Sequence, residues 1–458
     1  MEFRIERDSL GEVKVPKDAL FGAQTQRSVE NFKIGAGIEV MPKEIVHALA
    51  MIKKACARAN AVLLPQKMTG EKLSAIEKAA DEIVSGDLDK EFPLVVFQTG
   101  SGTQTNMNVN EVIANRGNEI IGSKLLHPND DVNMSQSSND VFPSAIHLST
   151  VLKTKTELIP AIERLIKAFK EKADEYPSLI KSGRTHFMDA TPVKFSQELL
   201  SYAFALLEDV KQIEFALGRI KKIALGGTAV GTGLNAPKGF ESLAVEQLNK
   251  ITGEEFISSE NKFSSLWRRG DIAFFHGALK SLATDLFKIA NDVRFLASGP
   301  RTGIGEITLP SNEPGSSIMP GKVNPTQVEA LTMVCAKVMG NDVTVGIAAS
   351  QGNLELNVFA PVIADSVLQS VRLLSDAITS FTENCVKGIK ANEEKMKENL
   401  NSSLMLVTAL SPVIGYEKSA KVALLAKNEN ITLKEACLKL GYLSEEEFDL
   451  AVDPEKMV

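Results

Sequence analysis

Several stretches of this chain repeat apolar residues at helical spacing over about 25 residues or more, a length that points to a bundle or coiled-coil geometry. From about Val151 to Tyr176, the residues Leu158, Ile162, Leu165, Ile166 and Phe169 interleave with Lys and Glu. From about Ser196 to Leu225, the residues Leu199, Tyr202, Ala203, Leu206, Val210, Ile213, Leu217 and Ile220 continue one apolar face. This is the period of an amphipathic helix. Similar segments run from about Trp267 to Leu296, onward from Pro325, and from about Leu356 to Ile389. Strand patterns are scarce; the best, near Arg4–Glu6 and Glu12–Val15, suit one small hairpin. The expected fold class is mainly α.

At about 100–200 residues per domain, a chain of 458 residues predicts two to four domains. We divide it into an N-terminal part, 1–137, a central long-helix part, 138–387, and a C-terminal part of shorter helices, 388–458, including Thr432–Leu440 and Ser444–Val452. Aromatics are only 6% of residues, with Trp267 the single tryptophan, so the core must be mostly aliphatic. The net charge is −7 and no Lys/Arg block stands out, which argues against nucleic-acid or membrane partners. No stretch approaches the roughly 18 apolar residues needed to span a bilayer. Cys56, Cys335, Cys385 and Cys437 are far apart and form no CxxC pair. A disulfide framework, a zinc site and an iron–sulfur cluster are therefore not expected. Residues 1–10 carry charges of both signs and no apolar segment, unlike a signal or transit peptide. The expected compartment is the cytoplasm.

The polar segments between the long helices carry the chemistry, as loops on rigid scaffolds usually do. The first is Gly315-Ser316-Ser317-Ile318-Met319-Pro320-Gly321-Lys322-Val323-Asn324-Pro325. It is not a P-loop, because five residues separate its glycines and Val323 follows Lys322. It reads as a mobile loop with two hydroxyls and a cation, entering a helix with Asn324 as N-cap and Pro325 at the first position. A helix N-terminus beside a lysine attracts carboxylates, although a plain loop ending in a capped helix has the same composition. The run Ser101-Gly102-Thr103-Gln104-Thr105-Asn106-Met107-Asn108 is dense in side-chain donors. So are His127-Pro128-Asn129-Asp130 and Ser137-Ser138-Asn139. Each taken singly could be an ordinary turn or cap; several together favour a binding site for a small anion. Of the five histidines, His47, His147 and His276 fall within helical patterns, which leaves His127 and His186. His186 is the stronger acid–base candidate, because Arg184 and Thr185 beside it could hold a carboxylate.

Together these segments resemble the class II fumarases of the fumarase/aspartase superfamily. The resemblance covers nearly the whole chain, from Gly22-Ala23-Gln24-Thr25-Gln26-Arg27 to Leu404–Leu410 and Gly441–Phe448. Residues 315–325 resemble the superfamily's GSxxMPxKxNP motif. Gly183-Arg184-Thr185-His186 and Gly226-Gly227-Thr228-Ala229 are fumarase-like, whereas aspartases typically carry Gln in place of His186. Asp131 varies within the family. The resemblance implies a three-domain fold whose long central helices assemble into a tetrameric core. It implies reversible hydration of fumarate to malate, a tricarboxylic acid cycle step, with no cofactor and no metal. It makes Ser316 the carbon base, although the residues alone would have favoured His186. It makes His186, with a bound water and hydrogen-bonded to Glu329, the group on the oxygen side. Ser101, Gly102, Thr103, Ser137, Ser138, Asn139, Thr185, Ser317, Lys322, Val323 and Asn324 would bind the dicarboxylate. His127, Pro128, Asn129 and Asp130 resemble a second dicarboxylate site. Each active site would take loops from three subunits of a homotetramer. Aspartase remains the nearest rival, and a non-catalytic helical scaffold the rival from another class.

Overall fold

The computed structural model describes residues 2–458. Helices dominate, and the strands form only two-stranded sheets. The named strands are β1 (Phe3–Asp8), β2 (Gly11–Pro16), β3 (Ile180–Thr185) and β4 (Met188–Lys194). The principal helices are α1 (Ala23–Asn31), α2 (Lys43–Leu63), α3 (Gly70–Ser85), α4 (Thr103–Ile121), α5 (Ser138–Lys153), α6 (Ile159–Glu175), α7 (Phe195–Ile220), α8 (Phe240–Thr252), α9 (Lys262–Trp267), α10 (Gly270–Leu296), α11 (Thr326–Ala349) and α12 (Ala360–Asn384). The chain divides into two compact units: Met1–Pro160, Val210–Ala283 and Cys335–Ser375 in one, and Ala161–Asp209, Thr284–Val334 and Asp376–Val458 in the other.

In the first unit, β1 and β2 pair antiparallel from Phe3↔Pro16 to Asp8↔Gly11, the hairpin expected from the sequence. Helix α2 packs on α3, α5 and α8, and α3 packs on α4. The buried face of α2 includes Ile45, Leu49, Ile52, Cys56 and Ala59, an aliphatic stripe at helical spacing. The start of α1 has no side-chain cap of its own. Its N–H groups are met instead by buried Glu111 of α4, which accepts from the backbone of Gly22, Gln24 and Thr25 at 2.8–3.1 Å. A carboxylate at a helix N-terminus satisfies orphan donors and the dipole together.

The helix expected over about 151–176 is interrupted by a π-turn at Thr154–Leu158, between α5 and α6. Pro160 lacks an N–H, and its ring crowds the carbonyl four residues back, so the wider turn accommodates it. Beyond it, α6 buries Ile162, Leu165, Ile166 and Phe169 as its periodicity predicts.

In the second unit, the segment around Gly183–His186, taken from the sequence as one of the polar segments between helices, is mostly the β3–β4 hairpin, with an irregularity between Ser182 and Arg184. Gly183 is required there, since a Cβ would lie 2.5 Å from the Thr191 carbonyl oxygen. The C-terminal helices close over Leu400, Leu406, Leu410, Val422, Ala436 and Phe448. Capping boxes at Thr432/Glu435 and Ser444/Glu447 start the last two α-helices where the sequence placed them.

All four cysteines are buried and unpaired. Burial pushes the Cys335 and Cys385 thiols up to about 12, which keeps them unreactive. Contrary to expectation, α11 is long and apolar enough to cross a bilayer by length and composition. Met333, Val343 and Ile347 on α11 are exposed.

Leu410 is fully buried in the C-terminal cluster. Replacing it with Ala should reduce stability by about 2–5 kcal/mol, read from denaturant unfolding, because the cavity is enclosed by several short elements.

Candidate active site

The first unit presents two helix N-termini linked through one side chain. At the first, Gly102 precedes α4 with φ 73°, and a Cβ there would lie 2.2 Å from the Phe142 ring. Only glycine fits, and it brings no side chain to cap α4; Gln98 Oε1 accepts from Thr105 N–H at 3.1 Å instead. Ser101 and Thr103 flank it, their hydroxyls 2.8 Å apart. These hydroxyls and the N–H groups at the start of the helix are the kind of donors that suit a carboxylate.

The second N-terminus is that of α5. Ser137 and Asp140 form a capping box. The Asp140 carboxylate is fully buried. It accepts from Ser137 N–H on one oxygen, and from Gly226 and Thr228 N–H on the other, at 2.9–3.0 Å. Burial raises its pKa, against the pull of these donors. Asn139 donates to the Ala229 carbonyl at 2.8 Å, so the Gly226–Ala229 turn is tied to α5 twice. Ser138 Oγ accepts from Asn106 Nδ2 of α4 at 3.1 Å, which joins the two receptors. The residues Ser101, Gly102, Thr103, Ser137, Ser138 and Asn139 therefore do come together.

His127–Asp130 forms a separate exposed corner. His127 caps a short π-turn, its Nδ1 accepting from Asp130 N–H at 3.2 Å. Asp131 is the buried anchor of this corner, accepting from His127 N–H and from Lys72. Asn129 and Asp130 face solvent around Pro128.

In the second unit, Thr185 and His186 stand at the tip of the β3–β4 hairpin. The two-residue turn is His186–Phe187, with φ 58° and 61°. Such a turn normally takes Asn and Gly, and left-handed His and Phe cost on the order of 1–2 kcal/mol each. Backbone strain of this kind concentrates at functional sites. The Phe187 ring packs edge-on against Phe295 at 4.9 Å. Arg184, read from the sequence as able to hold a carboxylate beside His186, is paired here with a carboxylate of the protein itself and also lines the cavity beside the hairpin tip. Its guanidinium is held in the interior by Glu306 through hydrogen bonds of 3.0 and 2.6 Å. Lys181 lies 3.1 Å from the same carboxylate, and Asn399 donates to it at 3.0 Å. Burial would raise the Glu306 pKa, but Arg184, Lys181 and Asn399 outweigh it and hold the carboxyl below its usual range. A cavity of about 240 Å³ opens beside the tip, lined by His186, Phe187, Glu198 and Tyr202 among others.

The 315–325 segment, also in the second unit, is a ring. Gly315 N–H donates to the Lys322 carbonyl at 3.0 Å, and a Cβ on Gly315 would lie 2.3 Å from that oxygen. Asn324 is not the side-chain cap of α11 that the sequence suggested. Its amide donates to the Gly315 carbonyl at 2.6 Å and locks the ring shut. Pro325 instead supplies the first carbonyl, to Val328 and Glu329. Within the ring, Ser316 Oγ accepts two N–H donors, from Ile318 at 3.3 Å and Met319 at 2.9 Å. Donors to an oxygen favour its anionic form. Ser317, Lys322 and Val323 line the outside of the ring. Among the described residues, the side chains of Lys322, His186 and Glu329 form no hydrogen bond or ion pair, so the expected His186–Glu329 bond is not made within one chain. Sequence reasoning missed Glu306 and Asp140, and gave Asn106 no role beyond the donor-rich run 101–108; the Ser-x-x-Asp capping pattern at 137–140 was the one local signal for Asp140.

Comparison with known proteins bears on all of these segments. Residues 11–340 match a family model described as lyase, and residues 406–458 one described as fumarase C C-terminus. The chain is 58% identical to the class II fumarate hydratase of Bacillus anthracis, over all of this chain and 99% of that one. It is 55% identical to that of Helicobacter pylori strain J99, with the same coverage. Among solved structures, the recombinant class II fumarase of Schistosoma mansoni superposes with a TM-score of 0.96 at 44% identity, covering 100% of this chain and 99% of that one.

Glu306→Gln should cost about 3 kcal/mol near neutral pH, because it leaves half-buried Arg184 without its carboxylate and buried Lys181 with Glu198 alone. The lowered Glu306 pKa stabilises the fold above the unfolded value of about 4.3, and that contribution is lost as pH falls through the folded value. Melting curves should therefore show the gap between wild type and variant narrowing in acid.

Proposed function

The chain belongs to the class II fumarate hydratase family, and from that premise we infer that it interconverts fumarate and malate, the hydration step of the tricarboxylic acid cycle, by acid–base chemistry. Dehydrating malate removes a weakly acidic carbon-bound proton, and the charge spreads into the adjoining carboxylate as an aci-carboxylate. Donors must meet that carboxylate where the charge develops. A base takes the carbon proton on one face, and an acid serves the departing hydroxyl on the other. The chemistry requires no metal.

The reading is carried by Ser316, whose Oγ accepts two backbone donors. An unassisted serine is a poor base, and fixed donors with Lys322 nearby in sequence favour its alkoxide. Ser316 takes the carbon proton. His186, through a bound water, handles the oxygen side, with Glu329 raising its basicity. Lys322 and Asn324 bind the carboxylate whose charge grows, with Ser317 and Val323 beside them. Ser101, Gly102, Thr103, Ser137, Ser138, Asn139 and Thr185 bind the other polar groups of substrate and water. His127, Pro128, Asn129 and Asp130 form a second, peripheral dicarboxylate site. His186 favours water over ammonia as the added group, which separates this reading from an aspartase.

The working form is a homotetramer whose active sites take loops from three subunits, built from segments 1–137, 138–387 and 388–458, in the cytoplasm. What supports assembly is the apolar surface left on the long helices. Phe204 and Phe215 on α7 are each 65% exposed, and Met333 on α11 is 67% exposed. Contiguous apolar faces of this kind call for a partner.

Chelator-treated protein should form fumarate, read by its absorbance, from malate and not from aspartate. Product from aspartate alone would make the enzyme an aspartase. Ser316→Ala should abolish most turnover while sparing assembly, and His186→Asn should lower it by about 10²-fold or more. Near-normal turnover in either would overturn the assigned role. Phe204→Glu should shift the assembly toward smaller species by light scattering and lower activity with it.

A further inference from the structure

The wall behind Ser137–Asn139 contains a group that the chemistry above does not use. Lys53, midway along α2, is fully buried. Its Nζ donates to Asn133 Oδ1 at 2.8 Å and to Gln136 Oε1 at 2.9 Å. The ionisable groups acting on it are Asp140 on α5 and the Cys56 thiol on its own helix. An ammonium buried against two neutral amides is costly, and an apolar side chain of similar length would fill the space more cheaply. Burial lowers its pKa to about 7. Stability alone does not account for a lysine here.

Its neighbours show what it sets. Asn133 Oδ1 also receives Asn106 Nδ2 at 3.3 Å and Asn110 Nδ2 at 3.2 Å. Asn106 Nδ2 in turn reaches Ser138 Oγ at 3.1 Å. Further along α2, Asn60 donates to the Met134 carbonyl and accepts from Ser135, a residue held at φ 63°. Residues 133–136, which lead directly into Ser137, are thus fastened to α2 by both side chains.

The chain of bonds has a direction. An amide can present either its oxygen or its NH₂ group; the Lys53 amine, charged or neutral, has N–H donors for both amide oxygens that face it, and as the ammonium it can only donate. Facing Lys53, Asn133 must present its oxygen. Asn106 must then present its NH₂ group to Asn133 and to Ser138. Ser138 Oγ is left as the acceptor in that bond, so its own proton is free to point outward.

We propose that Lys53 is a positioning residue: by donating to the Asn133 and Gln136 amide oxygens it fixes the polarity of the Asn133–Asn106–Ser138 chain, so that the Ser138 hydroxyl donates to a substrate carboxylate. This rests on the reading of Ser137–Asn139 as a substrate-binding segment, and its test separates the two.

Steady-state kinetics with fumarate and malate should be measured for Lys53→Met, Ser138→Ala and the double variant, as assembled enzyme. Lys53→Met should raise KM about tenfold, in line with one lost hydrogen bond to a charged group, with kcat changed much less. In the Ser138→Ala background the same substitution should raise KM no further, because the proton it aims is gone. A purely structural role would lower the melting temperature and act equally in both backgrounds, which would overturn the proposal. An unchanged KM in Lys53→Met would also overturn it. An unchanged KM in Ser138→Ala would instead remove the substrate-binding reading of the segment, and the proposal with it. If Lys53→Met fails to assemble, Asn133→Ala breaks the same chain while leaving the lysine in place, and the same outcomes decide.

Discussion

The Asp140 carboxylate accepts backbone N–H groups from Ser137, Gly226 and Thr228 while wholly shut off from water. A helix must satisfy its first four N–H groups somehow, and most do so with a local side chain or water. Here one residue caps its own helix with one oxygen and captures a distant turn with the other. The cap, the Gly226–Ala229 turn and the polar residues at the head of α5 are therefore one mechanical piece. The same device recurs at Glu111, which collects the start of α1 from across the first unit. In both places a buried charge is affordable because fixed dipoles replace the lost water.

Glu306 shows the alternative solution, charge against charge. It is surrounded by Arg184, Lys181 and Asn399, and this cluster sits directly under a hairpin whose tip is held in left-handed conformations. Buried ion pairs add little net stability over apolar packing. What they do supply is directionality: the bidentate arginine fixes the strand two residues before His186. The strain at the tip and the rigidity beneath it belong together, since a strained turn persists only where its surroundings over-determine it.

Much of this was legible in the sequence. Apart from the stretch broken by the π-turn at Thr154–Leu158, the long amphipathic segments match their helices to within about five residues, because apolar periodicity over 25 residues has few other meanings. The N-terminal hairpin and the C-terminal capping boxes carried their own local signals. The β3–β4 hairpin did not, since residues 182–192 are polar and their strand pairing depends on tertiary packing. The Arg184–Glu306 pair was invisible for a related reason: Glu306 lies 122 positions away and leaves no mark near Arg184. Asn324 matched a helix cap by type and place, yet its amide serves the ring closure. The polar residues of the family motifs were named from the sequence. That Ser101–Thr103 and Ser137–Asn139 meet through Asn106 could not be, because it depends on the packing of α4 against α5.

The closed neck at Gly315 and Lys322 has a consequence for how proton affinity and geometry are coupled. Both donors to Ser316 Oγ come from inside the same ring. Whatever displaces the segment carries the hydroxyl and its donors as a single body. The donors that meet that oxygen are then a property of the ring itself, while its access to a ligand depends on the residues that flank the ring.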